Sequence, residues 1–134
     1  MPKPLVVVDP GHGGKDYFPE GFACYCGCGL NTFDPALRAI LNRGREKFGR
    51  PIIINSGCRC IPWNILKKGA KHSAHLPGPD AFCHGCDIHV LSDITRAQLH
   101  KIFYDLEIRR FEVSNKHLHI DNACLLYTSP SPRD

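Results

Sequence analysis

The sequence predicts a small single-domain α+β fold with an antiparallel sheet and two main helices. Three observations predict it. Two stretches, one opening at Asp34-Pro35 and one at Thr95, carry apolar residues at helical spacing. Short apolar or alternating runs lie before, between and after them. The length, 134 residues, suits one domain with a modest core.

In chain order, Leu5 to Asp9 (LVVVD) reads as a strand followed by a glycine-rich turn. Cys24 to Leu30 (CYCGCGL) is too rich in glycine and cysteine for a regular element. Asp34 is a helix N-cap and Pro35 suits the first helical position. Leu37, Ile40, Leu41 and Phe48 share one face of that helix, and Gly49 stops it. Pro51 to Gly57 (PIIINSG) reads as a buried strand. Residues 62–86 read as a long loop region with one helical turn after Pro62. Asp87 to Leu91 (DIHVL) alternates, as a half-buried strand does. Thr95 and Gln98 form a capping box opening a helix that turns Leu99, Ile102, Phe103 and Leu106 inward. Phe111 to Ser114 and His117 to Asp121 read as a hairpin pair. No internal repeat is visible.

Composition is ordinary for a soluble globular chain, with 43% hydrophobic and 22% charged residues. No apolar run approaches the roughly 20 residues of a membrane helix. The opening, MPKPLVVVDPGHGG, lacks the features of a secretory signal. The net charge is +4, with basic residues concentrated between Arg43 and Lys71. That face favours an anionic polymer, nucleic acid or cell-wall glycan, or is simply solvated. It lacks the interleaved aromatics that stack bases, so nucleic acid is not the expected partner.

The last residues, CLLYTSPSPRD at 124–134, resemble the translated end of a transposase-type sequencing adapter. They are expected not to be native and are left out of fold reasoning. Cys124 then drops out of the eight cysteines, leaving Cys24, Cys26, Cys28, Cys58, Cys60, Cys83 and Cys86. The single-residue spacing of the first three is tighter than a zinc finger's. These thiols could form a second, structural metal site, form disulfides, or lie buried as free thiols.

The densest chemistry lies in KHSAHLPGPDAFCHGCDIHV, residues 71–90, and in KHLHID, Lys116 to Asp121. On a strand His117 and His119 face one way while Leu118 and Ile120 face the core. Two such histidines, with His75 and Asp87 converging from a loop, can make a zinc site with one open position. Zinc there lowers the pKa of a water towards about 7. Glu112, the nearest glutamate, could take the proton. The alternative is a set of unrelated polar residues on loops.

Several motifs in order resemble those of the zinc D-Ala-D-Ala carboxypeptidase family of peptidoglycan peptidases. They are FACYCGCG, then SGCRC with Asn64, then SAH followed by CDI, then HLHID, within residues 17–122. That family includes phage endolysins and shares its fold with vancomycin-resistance dipeptidases and the hedgehog signalling domain. The resemblance implies zinc ligation by His75, Asp87 and His119, with Ser73 helping to bind substrate. It implies that Arg59 holds a substrate carboxylate or the developing oxyanion. His117 would donate a hydrogen bond beside the metal, and Glu112 would be the general base. A peptidoglycan stem-peptide bond would be the substrate, either at a D-Ala terminus or of L-Ala-D-Glu type.

Three features depart from the family pattern. Asp87 follows His75 by twelve residues, where seven is usual, so Pro77 to Phe82 must bulge; His84 is the alternative ligand if the loop folds otherwise. Lys116 occupies the usual position of the base, three before the last histidine, and Glu112 stands seven before it. Cys58 replaces a tyrosine. A second resemblance lies at Val6 to Asp16 (VVVDPGHGGKD), similar to the opening motif of zinc N-acetylmuramoyl-L-alanine amidases, in which His12 would bind zinc. Residues 1–16 are therefore expected to be an amidase-like or grafted strand and turn, and 17–123 the zinc peptidase domain. The expected protein is a monomer acting on peptidoglycan of the cell wall, released at phage lysis or working in the periplasm or outside the cell. No nucleic-acid or membrane partner is expected. The alternative is an inactive, zinc-stabilised module that binds cell wall.

Overall fold

The computed structural model describes residues 16–19 and 21–123. The expected Leu5–Asp9 strand, His12 and the 124–134 tail with Cys124 lie outside the described residues. Among those described are three helices and a four-stranded antiparallel sheet. The helices are α1 (Pro35–Phe48), α2 (Ile61–Leu66) and α3 (Asp93–Asp105). The strands are β1 (Ile54–Ser56), β2 (Gly85–His89), β3 (Arg110–Val113) and β4 (His117–Asp121), in the spatial order β1-β2-β4-β3. The α+β class is as predicted.

Helix α1 starts and stops where its sequence says. The Asp34 carboxylate accepts from the Ala36 and Leu37 backbone N–H groups, and Gly49 ends the helix at φ 73°. Leu37 and Leu41 are fully buried. Buried Asn42 tethers the start of the described chain: its Oδ1 accepts from Tyr17 N–H at 2.7 Å. Its Nδ2 donates to Asp16 at 3.1 Å, and Asp16 also pairs with Arg38 at 2.6 Å.

Four expectations need correction. The strand expected over Pro51–Gly57 shrinks to Ile54–Ser56, with Ile53 exposed. It lies at the sheet edge and its register with β2 shifts between Ile54 and Ser56, which ends regular pairing. The turn after Pro62 is a full short helix, α2, with that proline in its first turn. Strand β2 starts earlier than expected, at Gly85, and ends at His89. It does not alternate in burial, because Cys86 and Ile88 face the core while Asp87 lies under other side chains on the opposite face. Helix α3 is capped by Ser92, not Thr95: Ser92 Oγ accepts from Thr95 N–H at 3.1 Å. Gln98 instead accepts from Arg50 at 2.8 Å.

The core lies between one face of the sheet and helices α1 and α3, with Phe22, Leu37, Ile88, Phe103, Leu118 and Ile120 at its centre. As the sequence indicates, Leu99, Phe103 and Leu106 are buried and Ile102 packs against them. The two helices meet at Gly44, where a Cβ would come within 2.3 Å of the Phe103 ring. Gly44→Ala adds helix propensity worth about 1 kcal/mol, but the clash with a fully buried ring outweighs it. The expected outcome is a net loss of about 1–3 kcal/mol in urea-unfolding stability, recovered when Phe103→Leu is added.

Candidate metal centre

Strands β2 and β4 set the centre by register. Asp87 pairs with His119, His89 with His117, and Gly85 with Asp121. Residues directly opposite in an antiparallel pair point to the same face, so Asp87, His119, His117 and Asp121 share the face away from the core. Strand β3 adds Glu112, which stands opposite His119, and Arg110, which stands opposite Asp121. The seven-residue separation of Glu112 and His119 is thus the path around a hairpin. Gly85 is obligatory here for space: a Cβ would lie 3.0 Å from the His119 ring and 2.8 Å from Ala74.

His75 comes from irregular chain that is nevertheless pinned on all sides. Its carbonyl accepts from Arg59 N–H at 2.9 Å, its own N–H donates to Ser73 Oγ at 3.1 Å, and the preceding Ala74 carbonyl accepts from His84 N–H at 2.9 Å. The expected bulge between His75 and Asp87 is present as a closed excursion. Pro77 bridges to Cys83, Gly78 N–H donates to Phe82 O, and Ala81 turns at φ 73°. The chain therefore returns to where it left, and the extra residues do not displace Asp87.

The ligand atoms converge. Asp87 Oδ1 lies 2.8 Å from His119 Nδ1 and 3.3 Å from His75 Nε2, and the three side chains are buried. The tautomers follow from the partners. Gly57 O, which can only accept, is 2.6 Å from His75 Nδ1, so Nδ1 carries the proton and Nε2 aims a lone pair at Asp87. The Asp121 carboxylate does the same to His119 Nε2 at 2.7 Å, leaving Nδ1 facing Asp87. Three potential ligand atoms thus meet in a buried spot and could hold a metal ion between them. Burial opposes a charged His119, but Asp121 and Asp87 raise it to about 9. Burial also opposes a charged Asp87, yet the neighbouring imidazoles of His119 and His75 hold its carboxyl well below the usual carboxylate range. Two imidazoles and a carboxylate suit zinc and leave a fourth position open.

This centre floors a cavity of about 330 Å³ lined by the residues the motif resemblance implies: Arg59, Ser73, His75, Asp87, Glu112, His117 and His119. Arg59 is held by Ser56 Oγ and Asn64 Oδ1, both at 3.1 Å, and reaches Asp87 at 3.4 Å. Asn64 is itself anchored to Ala70 O at 2.9 Å. The His117 ring, about one-third exposed, lies 3.7 Å from Asp87. Glu112 is exposed at the rim. Asp121 is the residue the sequence reading quoted without giving a role. It orients His119 and is held by Arg110 Nε at 2.7 Å, and the signal for it was its place two residues beyond His119 on the same strand face. A larger groove, about 480 Å³, lies between α1 and α3 and is lined by no histidine or cysteine.

A family model described as Peptidase M15 matches residues 15–121. The chain belongs to the peptidase M15 family. No curated protein and no solved structure matches it. Membership identifies the chain as a peptidase-family protein of the D-Ala-D-Ala carboxypeptidase kind, in agreement with the resemblance carried by its motifs. Among the described residues of this M15 chain, two groups of side chains could hold a metal: His75, Asp87 and His119, and, apart from them, Cys24, Cys26, Cys28 and Cys60. The expectation for the cysteines thus resolves into separate environments. Cys58 and Cys83 interact in the core, Cys86 is buried, and all seven described cysteines are free thiols.

His84, the alternative ligand, is not at the centre. It is engaged by Asn122 at 2.9 Å and Asp80 at 2.9 Å, with Asp34 3.2 Å away, and so ties the excursion to the start of α1. Burial opposes its protonation, but Asn122, Asp80 and Asp34 outweigh it and raise its pKa above the ordinary value. A raised folded-state value adds stability that is complete below the unfolded value, about 6.5, and is lost as pH rises through the folded one. The unfolding free energy of wild type relative to His84→Gln should therefore shrink from pH 6 upward, as read from urea titrations at stepped pH. An unchanging difference would show that His84 remains neutral.

Proposed function

We propose that this chain is a zinc-dependent peptidase that hydrolyses a stem-peptide bond of peptidoglycan. The observation that carries the reading is the convergence of His75 Nε2, Asp87 Oδ1 and His119 Nδ1 beneath an open cavity, with Glu112 opposite His119 on the adjoining strand. Zinc held by those three residues would supply Lewis acidity for the attack of water on a peptide carbonyl.

The chain's own groups supply the remainder. Glu112, at the rim, takes the proton of the attacking water and returns it to the leaving amine. Arg59, pre-set by Ser56 and Asn64, offers its guanidinium to a substrate carboxylate or to the oxygen that gains charge. His117 is a second donor to that oxygen. The Ser73 hydroxyl accepts from His75 N–H and keeps its own O–H to donate to substrate. Lys67, Lys68 and Arg110 line the same cavity and favour a peptide carrying free carboxylates. Such carboxylates occur on wall stem peptides, whether cleavage falls at a D-Ala terminus or at an L-Ala-D-Glu type of bond. On this reading the protein acts at the cell wall.

Three measurements test the reading. Glu112→Gln should lower product release from purified peptidoglycan by roughly 10²–10⁴-fold with zinc content unchanged; full activity would remove Glu112 as the base. Wild-type protein that binds the wall at saturating zinc and releases nothing would support the inactive wall-binding module instead. Asp121→Asn should weaken zinc binding at the histidine centre by roughly 10–100-fold, measured by competition with a chromophoric chelator.

A further inference from the structure

The protein has a second converging donor set, of a different chemistry. We propose that Cys24, Cys26, Cys28 and Cys60 form a closed, structural zinc site, distinct from the centre at His75, Asp87 and His119. Their sulfurs all lie within 4.8 Å of one another. Cys24 and Cys26 are 3.5 Å apart, Cys26 and Cys60 3.6 Å, and Cys24 and Cys60 3.8 Å. A tetrahedron with zinc–sulfur bonds of about 2.3 Å has sulfur–sulfur edges of about 3.8 Å. A disulfide needs about 2.05 Å, so these separations match an ion at the centre and not a covalent pair.

The surroundings point the same way. Cys26 and Cys28 are exposed and Cys60 is half-buried, so they are not core-packing thiols, unlike Cys58, Cys83 and Cys86. The tight spacing is made possible by Gly27 and Gly29, at φ 87° and 92°, which curl the chain so that three alternate cysteines face inward. The Cys60 backbone N–H donates to Cys24 Sγ at 3.5 Å. Four thiolates fill a tetrahedral zinc and leave no position for water or substrate, which makes the site structural. It would clamp the Cys24–Cys28 turn to Cys60, the residue that caps α2 and follows Arg59.

Metal analysis of the full chain, expressed with zinc, tests this independently of peptidase activity. Wild type should carry about two zinc ions, and a His75→Ala/His119→Ala variant about one. Replacing zinc by cobalt in that histidine variant should give intense sulfur-to-cobalt charge-transfer absorption. Cys26→Ser/Cys28→Ser should lose this absorption and one zinc while keeping the other. A histidine variant with no zinc and no charge-transfer band would overturn the proposal, as would iron or disulfides in place of zinc. The wild-type and histidine-variant spectra decide the matter even if the cysteine variant fails to fold.

Discussion

The β2–β4 register determines what this protein can do. Pairing Asp87 with His119 puts a carboxylate beside an imidazole at the middle of the sheet, and the same register brings His117 and Asp121 to that face. A slip of one residue would turn Cys86 and Ile88 outward and send Asp87 into the core. The apolar alternation Ile88, Leu118 and Ile120 and the polar alternation Asp87, His117, His119 and Asp121 are therefore one constraint. Burial of the first set fixes the placement of the second, and the site's geometry is a by-product of core packing.

The cost of this arrangement is a buried cluster of like-minded acceptors. Asp87 and Asp121 are both buried, and each imidazole of His75 and His119 turns its lone pair inward because its other nitrogen is already committed, one to Gly57 O and one to Asp121. Arg59 and Arg110 supply fixed positive charge at the edges, at 3.4 and 2.7 Å from the carboxylates. What they cannot supply is a cation at the point where three lone pairs meet. A divalent ion held there would satisfy all three at once.

Much of this was legible in the sequence because it depends on local rules. Asp34-Pro35 and Gly49 mark α1 by capping chemistry alone, and the strand period sorts His117 and His119 from Leu118 and Ile120. What was not legible depends on long-range partners. Thr95 carries a capping signature as good as Ser92's, and only the structure shows which one acts: Ser92 accepts from Thr95 N–H while Arg50 takes up Gln98. The burial of Asp87 on the non-core face could not be read from an alternating pattern, because its covering residues come from β4 and from the His75 loop. His84 looked like a ligand by type and spacing. Its commitment to Asp80, Asn122 and Asp34 depends on how the Pro77–Phe82 excursion closes, which sequence spacing does not encode.

The distance between Glu112 and His119 along the chain shows why spacing is a poor measure of a site built on a hairpin. Residues three apart on a strand point to opposite faces, so a base three residues before its histidine must come from a turn or a bend. A base on the neighbouring strand needs only the right register, whatever the turn length. The Ser56–Cys60 segment makes the complementary point. Ser56 and Arg59 reach each other's side chains, Gly57 O fixes the tautomer of His75, Cys58 enters the core, and Cys60 joins the thiol cluster. Five consecutive residues thus connect the core, the histidine centre and the cysteine cluster. A shift of the backbone at this segment would reach all three, because it carries a bond to each.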